Sequence, residues 1–535
     1  METTACPFDD LSDDLLSYLL SRLGPDLFSF RHALVCKRWL RVARVSQTDI
    51  RVASRREISS VSLLRALSTM PNLTSLQLAN RSLDVVNDQI ISGLGSALPN
   101  LKRFSLTATR RVSSAGGVTE IGLDGFFQAC TRLERLGLHT IPSVKFLPPS
   151  LICLTQLEFL DISLDDLRSL PEEISQLPAL RVLHLQAPHL RALPKSLGRL
   201  KNLSVLELVE CNSLPALPES FGQLFNLVHF SATTCYSLTS LPENFGQLQS
   251  LKTLELALPC LTSLPESLGQ LPKLWNLILC SCHSLHYLPS SMSRLSSLEG
   301  LEISECFLTL PDDIGFLPNL WSLEIHNCEN LTELPVSLPK LDRLTDLVIT
   351  GCRNLFRLPE DIGDLPALEK LELCNTYQLS HLPDSFGQLK NLRTLKLLAC
   401  NRLTTLPHTF SQLSSLESLK LINCELFSAL PEEFSQLPNL QELSISWCPE
   451  FRHIPSSFTQ LSSLTHFTVN CCRNFSDLPE GVGLMSNLKS FELTGCDRLT
   501  RLPPSLALLC EIERLEISGC SNIVDAPLFL CHLIG

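Results

Sequence analysis

Twelve of the 22 cysteines recur in one slot, at 211, 235, 282, 306, 328, 352, 400, 424, 448, 472, 496 and 520. Thiols in such number could hold zinc, form disulfides or act as nucleophiles. Zinc sites want paired ligands such as CxxC, whereas the only close pairs here are Cys280-x-Cys282 and the adjacent Cys471-Cys472. The expectation is therefore no metal and no cofactor. A disulfide framework is also not expected, because there is no recognisable signal peptide and regularly stacked free thiols imply a reducing compartment, cytoplasmic and/or nuclear. Other chemistry is equally sparse. There is no GxSxG, no HExxH and no GxxxxGK[ST], and His184 and His229, though on adjacent strand faces, are two of 13 scattered histidines. No catalytic residue is expected.

What positions the cysteines is a repeat. An aliphatic–proline pair returns sixteen times from Leu147-Pro148 to Leu502-Pro503, at intervals of 22 to 24 residues, preceded each time by an LxxLxLxx pattern, with other apolar residues in some of its leucine slots, and most often by cysteine. A fixed period of this size marks a leucine-rich α/β solenoid with a parallel concave sheet, a horseshoe whose coils contact only their neighbours. In the stretch from Leu392 to Leu413, Leu392, Leu395 and Leu397 turn inward from a short strand, Leu403 and Leu406 fill the next corner, and Phe410 and Leu413 pack the outer side. Pro407 starts the outer segment, since fixed φ and a missing N–H forbid another strand. The cysteine slot needs a small side chain that meets turn backbone from inside, and Thr376 fills it once. Glycines after the outer apolar slot (198, 222, 246, 269, 315, 363, 387 and 483) are expected to permit left-handed turns. Nineteen coils begin between Leu73 and Ile512, the first two intervals being longer, and give an inner arc of roughly 90 Å at about 4.8 Å per strand.

Charged residues make up 18% of the chain and the net charge is −12, which gives nucleic acid little electrostatic purchase. No apolar run approaches the roughly 18 residues that span a bilayer, so no membrane partner is expected. The exposed slot between the second and third strand leucines runs Glu302, Glu324, Val348, Glu372, Lys396 and Lys420 through the middle coils. Asp346 and Lys370 occupy the preceding slot, and Trp275 and Trp321 the first variable one. Aromatics beside charges suit a protein interface, so these nine residues other than Val348 are the candidate substrate-binding set. The same charges would also keep a solenoid soluble and pair across strands.

Before the repeats the rhythm is helical. Leu11, Leu15, Leu16, Leu19 and Leu23 share a face, Ser12 with Asp13 and Asp14 offers a cap, and Gly24-Pro25 ends the helix; two further helical pieces reach about Val45. A basic run from Arg31 to Arg56 reads as a solvated face and linker. LSDDLLSYLLSRL at 11–23 and LVCKRW at 34–39 resemble the opening and closing segments of an F-box, with Ser12 where that family usually has proline. The resemblance implies a three-helix domain over 5–50 that docks on a Skp-type adaptor of a cullin ligase. Leu11, Leu15, Leu16, Leu19 and Leu23 would supply its contacts, with Val35, Cys36 and Trp39 closing the module. The remaining boundaries are a tail at 1–4, irregular longer coils over 51–147, regular repeats over 148–527 and an end cap at 528–535. The repeats resemble plant-type arrays of F-box leucine-rich proteins and intracellular disease-resistance receptors. The expected function is a non-catalytic substrate-recognition subunit of a Skp-cullin-F-box ubiquitin ligase, with an unknown protein held on the concave face. The alternative is a scaffold or immune-type sensor whose helical start merely caps the first coil.

Overall fold

The computed structural model describes residues 48–52, 64–65, 67–70, 72–79, 86–107, 117–142, 144–509 and 511–524. The helical segments expected within 5–45, and with them Leu11, Leu15, Leu16, Leu19, Leu23, Val35, Cys36 and Trp39, lie outside the described residues, as does the end cap at 528–535. The chain divides into two compact units, Met1–Leu251 and Lys252–Gly535.

Within the first unit, β1 (Asp49–Val52), β2 (Ser75–Ala79), β3 (Arg103–Thr107), β4 (Arg135–His139), β5 (Phe159–Ser163), β6 (Val182–Gln186), β7 (Val205–Val209) and β8 (His229–Thr233) pair in parallel, each with the next. Strand β1 was not expected. It pairs Ile50 with Leu76, so residues 49 and 50, placed by the sequence in a helical domain, belong to the sheet. The long intervals after β2 and β3 are explained by full helices, α1 (Asp88–Ala97) and α2 (Glu120–Ala129). Both are capped. The Asn87 side chain accepts from Ile90 N–H at 3.1 Å, and the Thr119 hydroxyl at the start of α2 accepts from Ile121 N–H at 3.3 Å. Ile90, Ile91 and Leu94 from α1 and Leu123, Phe126 and Phe127 from α2 follow the helical period and are buried.

The second unit repeats one plan. Strands β9 (Thr253–Ala257), β10 (Asn276–Cys280), β11 (Gly300–Ser304), β12 (Ser322–His326), β13 (Asp346–Thr350), β14 (Lys370–Cys374), β15 (Thr394–Leu398), β16 (Ser418–Ile422) and β17 (Glu442–Ser446) run in parallel register, and three more follow to Ser518. Leu395 and Leu397 are fully buried while Lys396 between them faces out, the two-residue alternation of a half-buried strand. Each proline then opens a 3-10 turn: Pro407 holds φ −63° and its carbonyl accepts from Phe410 N–H at 3.0 Å. Phe386, Phe410 and Phe434 stack coil on coil at 6.1 and 6.2 Å.

The glycines work differently from the expectation. Left-handed backbone occurs instead one residue before the cysteine slot, at Glu305, Asn327, Gly351, Ala399, Trp447 and their equivalents, and at none of the eight glycines named. There the N–H reaches the next coil, as Trp447 does to the Asn470 carbonyl at 2.7 Å, adding a rung to the ladder. The reversal swings the following cysteine inward. Cys448 Sγ lies 3.7 Å from the Leu421 carbonyl and 3.5 Å from that of Ser446, and Thr376 Oγ1 meets Cys400 Sγ at 3.2 Å. The slot thus has the structural role expected of it.

Candidate binding site on the strand face

Register brings four of the predicted residues together. Trp275, Glu299 and Trp321 stand side by side just ahead of β10, β11 and β12, tied by Glu299 N–H to the Trp275 carbonyl at 2.8 Å and Trp321 N–H to the Glu299 carbonyl at 3.0 Å. One residue on, Asn276, Gly300 and Ser322 are aligned, and Glu302 and Glu324 pair two further along. Gly300 has no side chain, so the middle strand is hollow between Asn276 and Ser322, one residue on from the tryptophans. The result is a recess of about 280 Å³ walled by Trp275 and Trp321, floored by Gly300 and rimmed by Glu299, Glu302 and Glu324. The tryptophans are 49% and 47% exposed, unusual for so large an apolar side chain.

Its acids differ in state. Glu324 lies 3.4 Å from His326 Nε2 and accepts from the Ser322 hydroxyl at 3.4 Å. Glu299 and Glu302 have no cationic partner among the described residues.

The other five predicted residues form a separate chain of charges. Lys370 and Lys396 both reach Glu372, at 3.0 and 3.5 Å, and Lys420 reaches Glu442 at 2.9 Å. Burial alone would raise the Glu372 carboxyl, but hydrogen bonding by Lys370 and Lys396 and their fields hold it below the ordinary carboxylate range. The Lys370 ammonium is raised in turn, first by its hydrogen bond to Glu372, then by the fields of Asp346 and Glu324. These lysines therefore neutralise acids of the sheet itself.

Glu299, Asn276 and Gly300 were missed by sequence reasoning. The signal existed, because Glu299 follows Leu298 as Trp275 follows Leu274 and Trp321 follows Leu320. The exposed Trp447 was missed too: its left-handed backbone has no signature in residue type. In the first unit, His184 and His229 are not on adjacent strands as expected but on β6 and β8, where they bracket Glu207 of β7, each at 3.9 Å, and His184 also lies 3.3 Å from Asp161. Every described cysteine is a free thiol, and burial pushes that of Cys130 up to about 12. Among the described residues no helix is long and apolar enough to cross a membrane.

A coiled array of parallel five-residue strands backed by 3-10 turns is the architecture of leucine-rich repeats. Residues 351–518 match the family described as leucine-rich repeat region, so the chain carries such a region. Among solved structures, a leucine-rich repeat protein of Leptospira interrogans is 25% identical with a TM-score of 0.50, covering 87% of this chain and 100% of that one. The TLR13–ssRNA13 complex matches at 21% identity and TM-score 0.57, covering 86% of this chain and 62% of that one. The glycosylated Toll–Spatzle complex of Drosophila matches at 19% identity and TM-score 0.53, with 93% and 60% covered. The last two likenesses concern the fold.

Proposed function

We propose that this chain is a non-catalytic recognition subunit that captures a protein on the strand face of its second unit and delivers it to a Skp-cullin ubiquitin ligase through residues 5–50. The observation that carries the capture half is the recess at Trp275 and Trp321: two exposed tryptophans beside unpaired acids, on a sheet whose neighbouring charges are already matched, form the aromatic anchor and polar rim of a protein interface. The ligase half is supported by the F-box-like segments at 11–23 and 34–39. Ubiquitin transfer would be done by partners, and the stacked free thiols favour a reducing compartment, cytoplasm or nucleus. One fold neighbour is a complex with single-stranded RNA and another a complex with Spatzle. A net charge of −12 favours a protein ligand over RNA here.

A second reading, a leucine-rich scaffold or sensor with a helical cap, draws on β1. That strand joins the sheet directly after the N-terminal segment, where a terminal cap would dock.

The test is calorimetry of the full chain and its Leu15→Asp/Leu19→Asp variant against a purified Skp-type adaptor. Point changes are preferable to deleting 1–50, which would cut β1. Submicromolar binding lost in the variant supports the ligase reading. A folded full chain that does not bind leaves the capped scaffold.

A further inference from the structure

We propose that the recess between Trp275 and Trp321 is an anchor for a guanidinium, the arginine side chain of a protein or peptide ligand; this deepens the reading of the strand face as a capture surface. Three properties of the recess converge on that chemistry. The two tryptophans are separated by one intervening strand, so at about 4.8 Å per strand their backbones stand roughly 10 Å apart, a spacing at which a flat cation seated between the two side chains falls within the roughly 6 Å reach of a cation–π contact. Glu299 and Glu302 lie on the floor strand between them without a cation of their own among the described residues, whereas the lysines nearby are held by Glu372 and Glu442. No basic residue lines the recess, so the charges of Glu299 and Glu302 are unanswered there.

An apolar occupant would leave the two carboxylates desolvated and unmatched, which is costly. A bare ammonium would satisfy the charge but stays strongly hydrated. A guanidinium is weakly hydrated and planar, stacks on indole faces and offers paired N–H donors to carboxylate oxygens. Gly300 keeps the floor of the slot open, because a side chain there would fill the space between Asn276 and Ser322 beside the tryptophans. The glycine is not demanded by crowding: a Cβ on it would meet only the end of the Asn276 side chain, with Oδ1 at 2.8 Å.

The four tryptophans of the chain, at 39, 275, 321 and 447, allow a direct test by fluorine NMR of the full chain labelled with 5-fluorotryptophan. The probes are Nα-acetyl-arginine methylamide and the citrulline compound of the same shape without charge. The arginine probe is expected to shift the Trp275 and Trp321 signals saturably, about ten-fold more tightly than citrulline, and to leave Trp447 unmoved. Glu302→Gln should weaken the effect several-fold, and Gly300→Val should abolish it by filling the floor. Equal shifts from citrulline, shifts at Trp447 of the same size, or none at 275 and 321 would overturn the anchor. The adaptor calorimetry is independent of this face. A silent recess in a chain that still binds the adaptor removes the anchor alone, and arginine shifts in a chain that ignores the adaptor remove the ligase reading alone.

Discussion

The backbone of Gly387 is pressed against the next coil at Thr409, so closely that a Cβ on Gly387 would stand 2.7 Å from the Thr409 carbonyl carbon and 2.8 Å from its Cβ. Gly387→Ala in an ordinary turn with negative φ would reduce chain entropy on unfolding and stabilise slightly. Here the obstacle is backbone, which cannot swing aside, so the change is expected to destabilise by about 1–3 kcal/mol. Gly481→Ala is the control, since its Cβ would meet Thr459 no closer than 3.4 Å. Urea unfolding of the two variants measures the difference, and equal midpoints would contradict the close-approach role.

Leu395→Ala removes a fully buried side chain from a core that continues into the coils on either side. Its neighbours are held at fixed strand spacing and cannot collapse into the gap, so the expected loss is about 2–5 kcal/mol. Lys396→Ala, one residue on, loses only a 3.5 Å partner in Glu372 at the surface and should change stability by less than about 1 kcal/mol. Comparable thermal losses in both would mean the strand register is wrong.

That alternation was legible in the sequence because strand side chains have a period of two and every leucine slot repeats. Each of the nineteen coil starts, from Leu73 to Ile512, indeed lies two residues before a strand. What the sequence hid has physical causes. Glycine serves equally a left-handed turn and a close approach, and spacing shows where Gly387 recurs without showing which need it meets. The true left-handed position accepts Glu305, Ala399 and Trp447 alike, because its cost is offset by an interstrand hydrogen bond rather than relieved by residue choice. Strand β1 is a lone DIRV with no leucine motif after it. The recess needed register across three strands, and reading one coil at a time separates Glu299 from the tryptophans on either side.

Cys130 closes α2, and burial holds its thiol protonated well beyond the usual range, up to about 12. In the unfolded chain the same thiol ionises near its ordinary value of 9.0. Above that pH the unfolded state has released a proton that the folded state retains. Stability therefore falls as pH rises from about 9 towards 12, by about 1.4 kcal/mol per pH unit for this group. Denaturant unfolding at pH 8 and pH 10 should show the decline, and Cys130→Ala should make it shallower. An unchanged slope in that variant would count against the burial of this thiol.

Glu372 gives the opposite dependence at the acid end. Its carboxyl is held below the ordinary range because hydrogen bonds and attraction from Lys370 and Lys396 outweigh its burial. A group whose folded pKa is depressed contributes stability above its unfolded pKa, and that contribution is lost as pH falls through the folded value. Glu372→Gln should therefore flatten the acid limb of the stability curve while changing stability at pH 7 by no more than about 1 kcal/mol, since Lys370 and Lys396 remain partly solvated. The substitution also releases two lysines on the face beside the Trp321 recess. If arginine anchors there by charge, freeing those cations should weaken the arginine probe at low ionic strength and leave it little changed at about 1 M salt, where exposed charges are screened within about 3 Å. A loss of probe binding that persists at high salt would show instead that Glu372 shapes the recess through packing.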